Sequence, residues 1–177
     1  MFIEKDNLVI RNANNDDAKL LAEWWNDGAV MAHAGFPNGT GETAEGIAES
    51  LKTDTDETHR RLIIEFDKTP VGEMNYRNKG AGTAEIGIKI CDFSKQEKGY
   101  GSKLLMMLIS HLFESLGYDK IILDTNTNNT RAQHVYEKLG FRKLRVNVDS
   151  WRNQLGELQS SIDYEMTKED FINLAQD

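Results

Sequence analysis

The chain has a single cysteine, Cys91, and two prolines among its 177 residues. One thiol excludes an internal disulfide and a cysteine-rich zinc site, and it agrees with a reducing compartment. Long apolar runs are missing too: no stretch approaches the ~20 residues needed to span a membrane. The opening MFIEKDNLVIRNANNDD lacks the continuous apolar core of a secretory signal, so a cytoplasmic protein without a membrane partner is expected. Basic residues are outnumbered, 21 Lys and Arg against 29 Asp and Glu, for a formal charge of −8. Such a chain has no basic field to attract a nucleic-acid backbone; cationic or neutral partners fit better. The four histidines, His33, His59, His111 and His134, are scattered without metal-ligand spacing, and no metal is expected.

What is present is enough for one domain spanning residues 1–177. Leu8-Val9-Ile10 reads as a strand. Asn15-Asp16-Asp17 then offers caps for a helix carrying Leu20, Leu21, Trp24 and Trp25, which Asn26-Asp27-Gly28 stops. The glycine-rich GFPNGTGET, residues 35–43, is a loop of the kind that shapes pockets, and a second helix runs from Ala44 to Lys52. The period then changes. Leu62–Phe66, Val71–Arg77 and Ala84–Ile90 are three strand-length runs and predict an antiparallel meander.

From Leu104 to Leu116 the apolar residues keep helical spacing, ended by Gly117. Ile121-Ile122-Leu123 predicts a buried strand. A short helix follows with Ala132, Val135, Tyr136 and Leu139 on one face, and Phe141–Val148 and Ser160–Met166 read as closing strands. The order β-α-α-β-β-β-α-β-α-β-β predicts an α/β domain with a mixed sheet.

QEKGYGSKLL, residues 96–105, places two glycines just where the long helix begins. There the first N–H groups lack helical partners and the dipole is positive, so the turn suits an anion; it equally suits a sharp strand-to-helix bend. It is neither G-x-x-x-x-G-K-[ST] nor a full G-x-G-x-x-G, which disfavours ATP and NAD. Gln96-x-x-Gly99-x-Gly101 resembles the Q/R-x-x-G-x-G/A signature of the GCN5-related N-acetyltransferase (GNAT) superfamily. Asn129-Thr-Arg-Ala132-Gln-His-Val-Tyr136-Glu-Lys-Leu-Gly140-Phe141 is similar to the N-x-x-A-x-x-x-Y-E-K-x-G-F segment of the same superfamily. Ile10-Arg11, Asp17-Ala18, Leu21, Trp25 and Asn26-Asp27 resemble the branch holding the ribosomal-protein N-terminal and spermidine acetyltransferases.

The resemblance implies a GNAT-like, largely antiparallel central sheet flanked by helices. It implies acetyl-CoA as co-substrate, bound by Ile88, Ile90, Gln96, Gly99, Tyr100, Gly101, Ser102 and Asn129, with Tyr136 protonating the departing thiolate. Tyr136 also lies on an apolar stripe and reads equally as a packed tyrosine, and Asn129 as a helix cap. Glu85 is the candidate base. It alternates with Gly87 and Lys89 opposite the isoleucines of Ala84–Ile90, and Glu73 is the reserve. A register joining Arg77 to Glu85 and Glu73 to Lys89 would instead make both carboxylates ordinary cross-strand ion pairs. Cys91 reads as a small boundary residue and His33 as a possible substrate contact. The expected function is N-acetyl transfer to a cationic primary amine, polyamine-like or a peptide N-terminus. A catalytically silent acyl-CoA-binding module is the alternative, and a homodimer remains open.

Overall fold

An eight-stranded sheet forms the centre of the chain in the computed structural model, which describes residues 1–174. The strands are β1 (Phe2–Lys5), β2 (Leu8–Asn12), β3 (His59–Phe66), β4 (Thr69–Gly80), β5 (Thr83–Ile90), β6 (Lys120–Asn126), β7 (Arg142–Arg152) and β8 (Leu158–Thr167), arranged β1-β2-β3-β4-β5-β6-β8-β7. The helices are α1 (Ala18–Asn26), α2 (Gly28–Met31), α3 (Ala44–Leu51), α4 (Tyr100–Glu114), α5 (Thr130–Lys138) and α6 (Lys168–Leu174). Every neighbouring pair of strands is antiparallel except β5 with β6. The mixed, largely antiparallel sheet expected from the sequence is therefore present.

Three elements go beyond the expected order. The β1 strand forms a hairpin with β2 through Asp6, whose φ of 55° is left-handed. Asn26-Asp27-Gly28 does stop α1, but the Asp27 side chain at once accepts from Ala29 N at 2.8 Å and caps α2. The residues that end one helix thus begin another. The third is α6, which opens on a reciprocal cap: Thr167 N donates to Asp170 and Asp170 N to the Thr167 hydroxyl.

Alternation along the strands sorts side chains onto two faces. Leu62, Ile64, Met74, Tyr76, Ile86, Ile121, Tyr164 and Met166 point to the face covered by α4, whose Leu104, Leu105, Leu108, Ile109, Leu112 and Phe113 are almost fully buried there. On the opposite face Ile63 packs with Leu21 of α1 and Ile47 and Leu51 of α3. Buried pairing secures these helices, since Arg11 grips Asp17 with two bonds of 2.8 Å and Arg61 reaches Asp54 at 2.6 Å.

The decisive feature lies at the centre of the sheet. The β5 and β6 strands pair only over Thr83–Glu85 and Lys120–Ile122, and beyond those residues they separate. Their diverging halves leave backbone N–H and C=O groups facing a gap, which requires an occupant or solvent.

Candidate active site

The gap opens into a cleft of about 730 Å³. One wall is the free half of β5, Ile86–Ile90; the other is Asp124, Thr125 and Asn126 of β6. Gly99, Gly101, Ser102 and Leu105 close one end, together with Asn129, Arg131, Ala132, Val135 and Tyr136 from α5. Ala29, Val30, His33 and Ala34, with Glu73, Asn75, Lys89 and Trp151, form the other end. The cleft passes through the sheet, joining the face under α4 and α5 to the face under α1 and α3.

Gly99 precedes α4 with φ 78°, a left-handed backbone that favours glycine. Its own N–H and those of Tyr100, Gly101 and Ser102 have no acceptor among the described residues. A Cβ added to Gly101 would meet no protein atom nearer than Ile90 Cδ1 at 3.8 Å. Packing therefore does not require glycine there, and the absent Cβ leaves these N–H groups open to the close approach of an anion. The residues of the turn fit the diphosphate of coenzyme A.

Gln96 is held at both ends of its amide: Nε2 donates to Ile90 O at 2.8 Å and Oε1 accepts from Arg131 Nη1 at 2.8 Å. Asn129 caps α5, accepting from Ala132 N at 3.2 Å, and still lines the cleft, so its two readings coexist. Tyr136 is also both things at once. Its ring packs edge-on against Phe141 and Tyr164, at centroid distances of 6.0 and 5.7 Å, while its hydroxyl has no protein partner among the described residues. Burial, with the Asp124 charge added, pushes its pKa up to about 12, so the hydroxyl holds its proton at neutral pH.

Of the expected site residues, Ile88, Ile90, Gln96, Gly99, Gly101, Ser102, Asn129 and Tyr136 are brought together around this cleft. Glu85 and the side chain of Tyr100 do not line it, although the Tyr100 N–H belongs to the turn. Tyr100 turns toward Phe66, ring centroids 4.8 Å apart, because the first turn of α4 points it at the core. Glu85 sits in the short segment where β5 and β6 are still paired, opposite Ile122, and does not line the larger cleft. It lines a smaller pocket of about 340 Å³, with Lys79 3.4 Å away.

The register places Arg77 opposite Glu85 and Glu73 opposite Lys89, and the second couple forms an ion pair of 2.8 Å. Glu73 is buried and also accepts twice from Trp25 Nε1, at 3.0 and 2.9 Å. It is thus a fixed carboxylate at the end of the cleft away from the glycine turn, tied to α1. Cys91 is buried beside Val30 and Met31, and burial, with Glu73 nearby, pushes its thiol up to about 12. A thiol that retains its proton is a poor nucleophile.

Asp124, Arg131 and Trp151 are cleft residues that the sequence reading missed. Asp124 opens to the cleft, yet its carboxyl is raised above the ordinary carboxylate range by burial and by the charges of Glu85 and Asp163. An acidic residue directly after the apolar run Ile121-Ile122-Leu123 was the available signal. Trp151 comes from the far end of β7 and packs on Gly35, a contact that sequence separation conceals. No residue of the Gly35–Thr43 loop lines the cleft; Ala29, Val30, His33, Ala34 and Trp151 do. Among the described residues no group of three or more His, Cys, Asp and Glu is placed to hold a metal ion, and no helix is long and apolar enough to cross a membrane.

The pattern of a family described as Acetyltransferase (GNAT) domain matches residues 7–142. Aminoglycoside N(6')-acetyltransferases type 1 from Klebsiella pneumoniae and Serratia marcescens are each 25% identical over 151 residues, covering 78% of this chain and 75% of those proteins. Among solved structures, a spermidine N-acetyltransferase from Vibrio cholerae in complex with CoA and spermine has a TM-score of 0.85 at 22% identity, covering 96% of this chain and all 100% of that one. A GNAT-family acetyltransferase from Bacillus anthracis has a TM-score of 0.78 at 23% identity, covering 96% and 99%.

Proposed function

Because the chain belongs to the GNAT acetyltransferase family, we propose that this enzyme transfers an acetyl group from acetyl-CoA to a primary amine on a polycationic acceptor. The observation that carries the reading is the gap between β5 and β6, with unpartnered helix N–H groups at one end and a fixed carboxylate at the other. Gly99, Gly101 and Ser102 would hold the diphosphate, the free edge of β5 at Ile88 and Ile90 the pantetheine arm, and Asn129 would support that arm from α5. The thioester of acetyl-CoA supplies the activated acetyl group.

The chain's own groups supply proton control. An alkyl ammonium with a reference pKa of ~10.4 must lose a proton before its nitrogen can attack. Asp124 suits that task better than Glu85, since it opens to the cleft and its raised pKa makes it a stronger base than an ordinary carboxylate. Tyr136 keeps its proton at neutral pH and faces the same space, which suits it to protonate the leaving sulfur. Glu73, anchored by Trp25 and Lys89, is placed to orient the acceptor.

A cationic acceptor is supported by the excess of acidic groups and by Asp124 and Glu73 at the receiving end. The names of the relatives agree, as aminoglycosides and spermine are both polycations. A silent acyl-CoA-binding module has no feature of this site in its favour. The test is release of free thiol from acetyl-CoA across a panel of polyamines, aminoglycosides and N-terminal peptides. Turnover with at least one polycation is expected; coenzyme binding without thiol release on any amine would return the chain to the binding-module class.

A further inference from the structure

We infer that Arg131 is a ligand of the coenzyme diphosphate, held ready by Gln96 and Glu97 and exchanging them for phosphate oxygens when acetyl-CoA enters. The inference rests on the coenzyme reading given above. Among the described residues two fixed cations line the cleft, Lys89 and Arg131. Lys89 is committed to Glu73 at 2.8 Å at the acceptor end, which leaves Arg131 as the cation at the glycine end. It stands on the first turn of α5, across the cleft from the unpartnered N–H groups of Gly99, Gly101 and Ser102. A guanidinium facing a row of backbone donors is suited to a diphosphate, because its planar fork binds phosphate oxygens in pairs.

The present partners of Arg131 are easily released. One is the neutral Gln96 Oε1 at 2.8 Å, presented to Arg131 because Gln96 Nε2 is fixed to Ile90 O. The other is Glu97 Oε1 at 3.6 Å, with the Arg131 and Glu97 side chains 50% and 78% exposed. An exposed ion pair at that distance is weak and screened by salt, whereas a diphosphate offers two charges and several acceptors. Glu97 has a left-handed backbone at φ 60° although it is not glycine, and it lines the cleft next to Arg131. The carboxylate therefore competes with the diphosphate for Arg131.

Opposite effects of two substitutions separate this exchange from a simple brace. Affinity for CoA, measured by titration calorimetry on the full chain, is expected to fall about ten- to hundredfold in Arg131→Met, the loss of one charge-assisted interaction. In Glu97→Gln it is expected to rise about two- to fivefold, because a weak competitor has gone. Dephospho-CoA, which retains the diphosphate but lacks the 3′-phosphate, should show the same Arg131→Met defect. Weakening by both substitutions alike would mean that the Arg131–Glu97 contact only braces the loop and would overturn the inference. So would wild-type affinity in Arg131→Met, or a defect that disappears with dephospho-CoA. If the wild-type chain itself binds no CoA, the coenzyme reading fails and the inference falls with it, a result distinct from all the others.

Discussion

Burial raises the pKa of both Tyr136 and Asp124, with opposite uses for the proton: one group keeps it and the other gains basicity. Burial keeps the Tyr136 proton in place, so Tyr136→Phe should leave the packing against Phe141 and Tyr164 intact while removing the acid. A fall in kcat of about 10²–10⁴-fold is expected under conditions where chemistry limits the rate. Asp124 pays for its basicity in stability. Its folded pKa lies above its unfolded one, so the folded state is disfavoured once pH rises through the folded value, and the handicap vanishes below the unfolded value. Asp124→Asn is therefore expected to raise Tm at neutral pH, with the gain shrinking as pH falls toward about 4, the ordinary range of a carboxyl. The same substitution should lower kcat/KM about 10²–10⁴-fold and remove the acidic limb from the residual profile. A lower Tm at pH 7 would show that Asp124 is a structural carboxylate.

Among elements, the turn between β5 and α4 is where local sequence and ligand requirements meet. The left-handed Gly99 has a conformational reason to be glycine, whereas Gly101 has open space around its missing Cβ. Gly101→Val should leave the Tm of the free protein near the wild-type value. It should lose the stabilisation that excess CoA gives the wild type, which grows as RT ln(1 + [L]/Kd). A drop in the Tm of the free protein would instead assign Gly101 to the fold. The β5–β6 junction carries more of the function than any single residue. Its short pairing places Glu85 inside the sheet ladder and Asp124 in the gap, although both are acidic residues on neighbouring strands.

For the whole molecule, a formal charge of −8 should draw a polycationic acceptor toward the cleft. KM for that acceptor is expected to rise with ionic strength, as the screening length contracts to ~8–10 Å near physiological salt. A KM indifferent to salt would confine recognition to contacts inside the cleft. The helices and strands, the glycine turn, the Asn129 cap and the Tyr136 stripe could all be read from sequence, because each depends on neighbours a few residues away. The same locality exposed the signals passed over at α2 and α6, where Asp27 and Thr167 act on N–H groups within three residues. The Glu73–Lys89 register was one of the arrangements open to the meander, and only the structure selected it. Where β5 and β6 part was decided only by the tertiary structure. That point depends on a parallel pairing between strands separated by all of α4, and on packing that spreads their far halves. Alternation assigns a residue to a face of a strand, but which stretch of that face borders a gap is set by contacts distant in sequence. For this reason Asp124, Arg131 and Trp151 came to line the cleft, and Glu85 and the Tyr100 ring came to lie outside it, only in three dimensions.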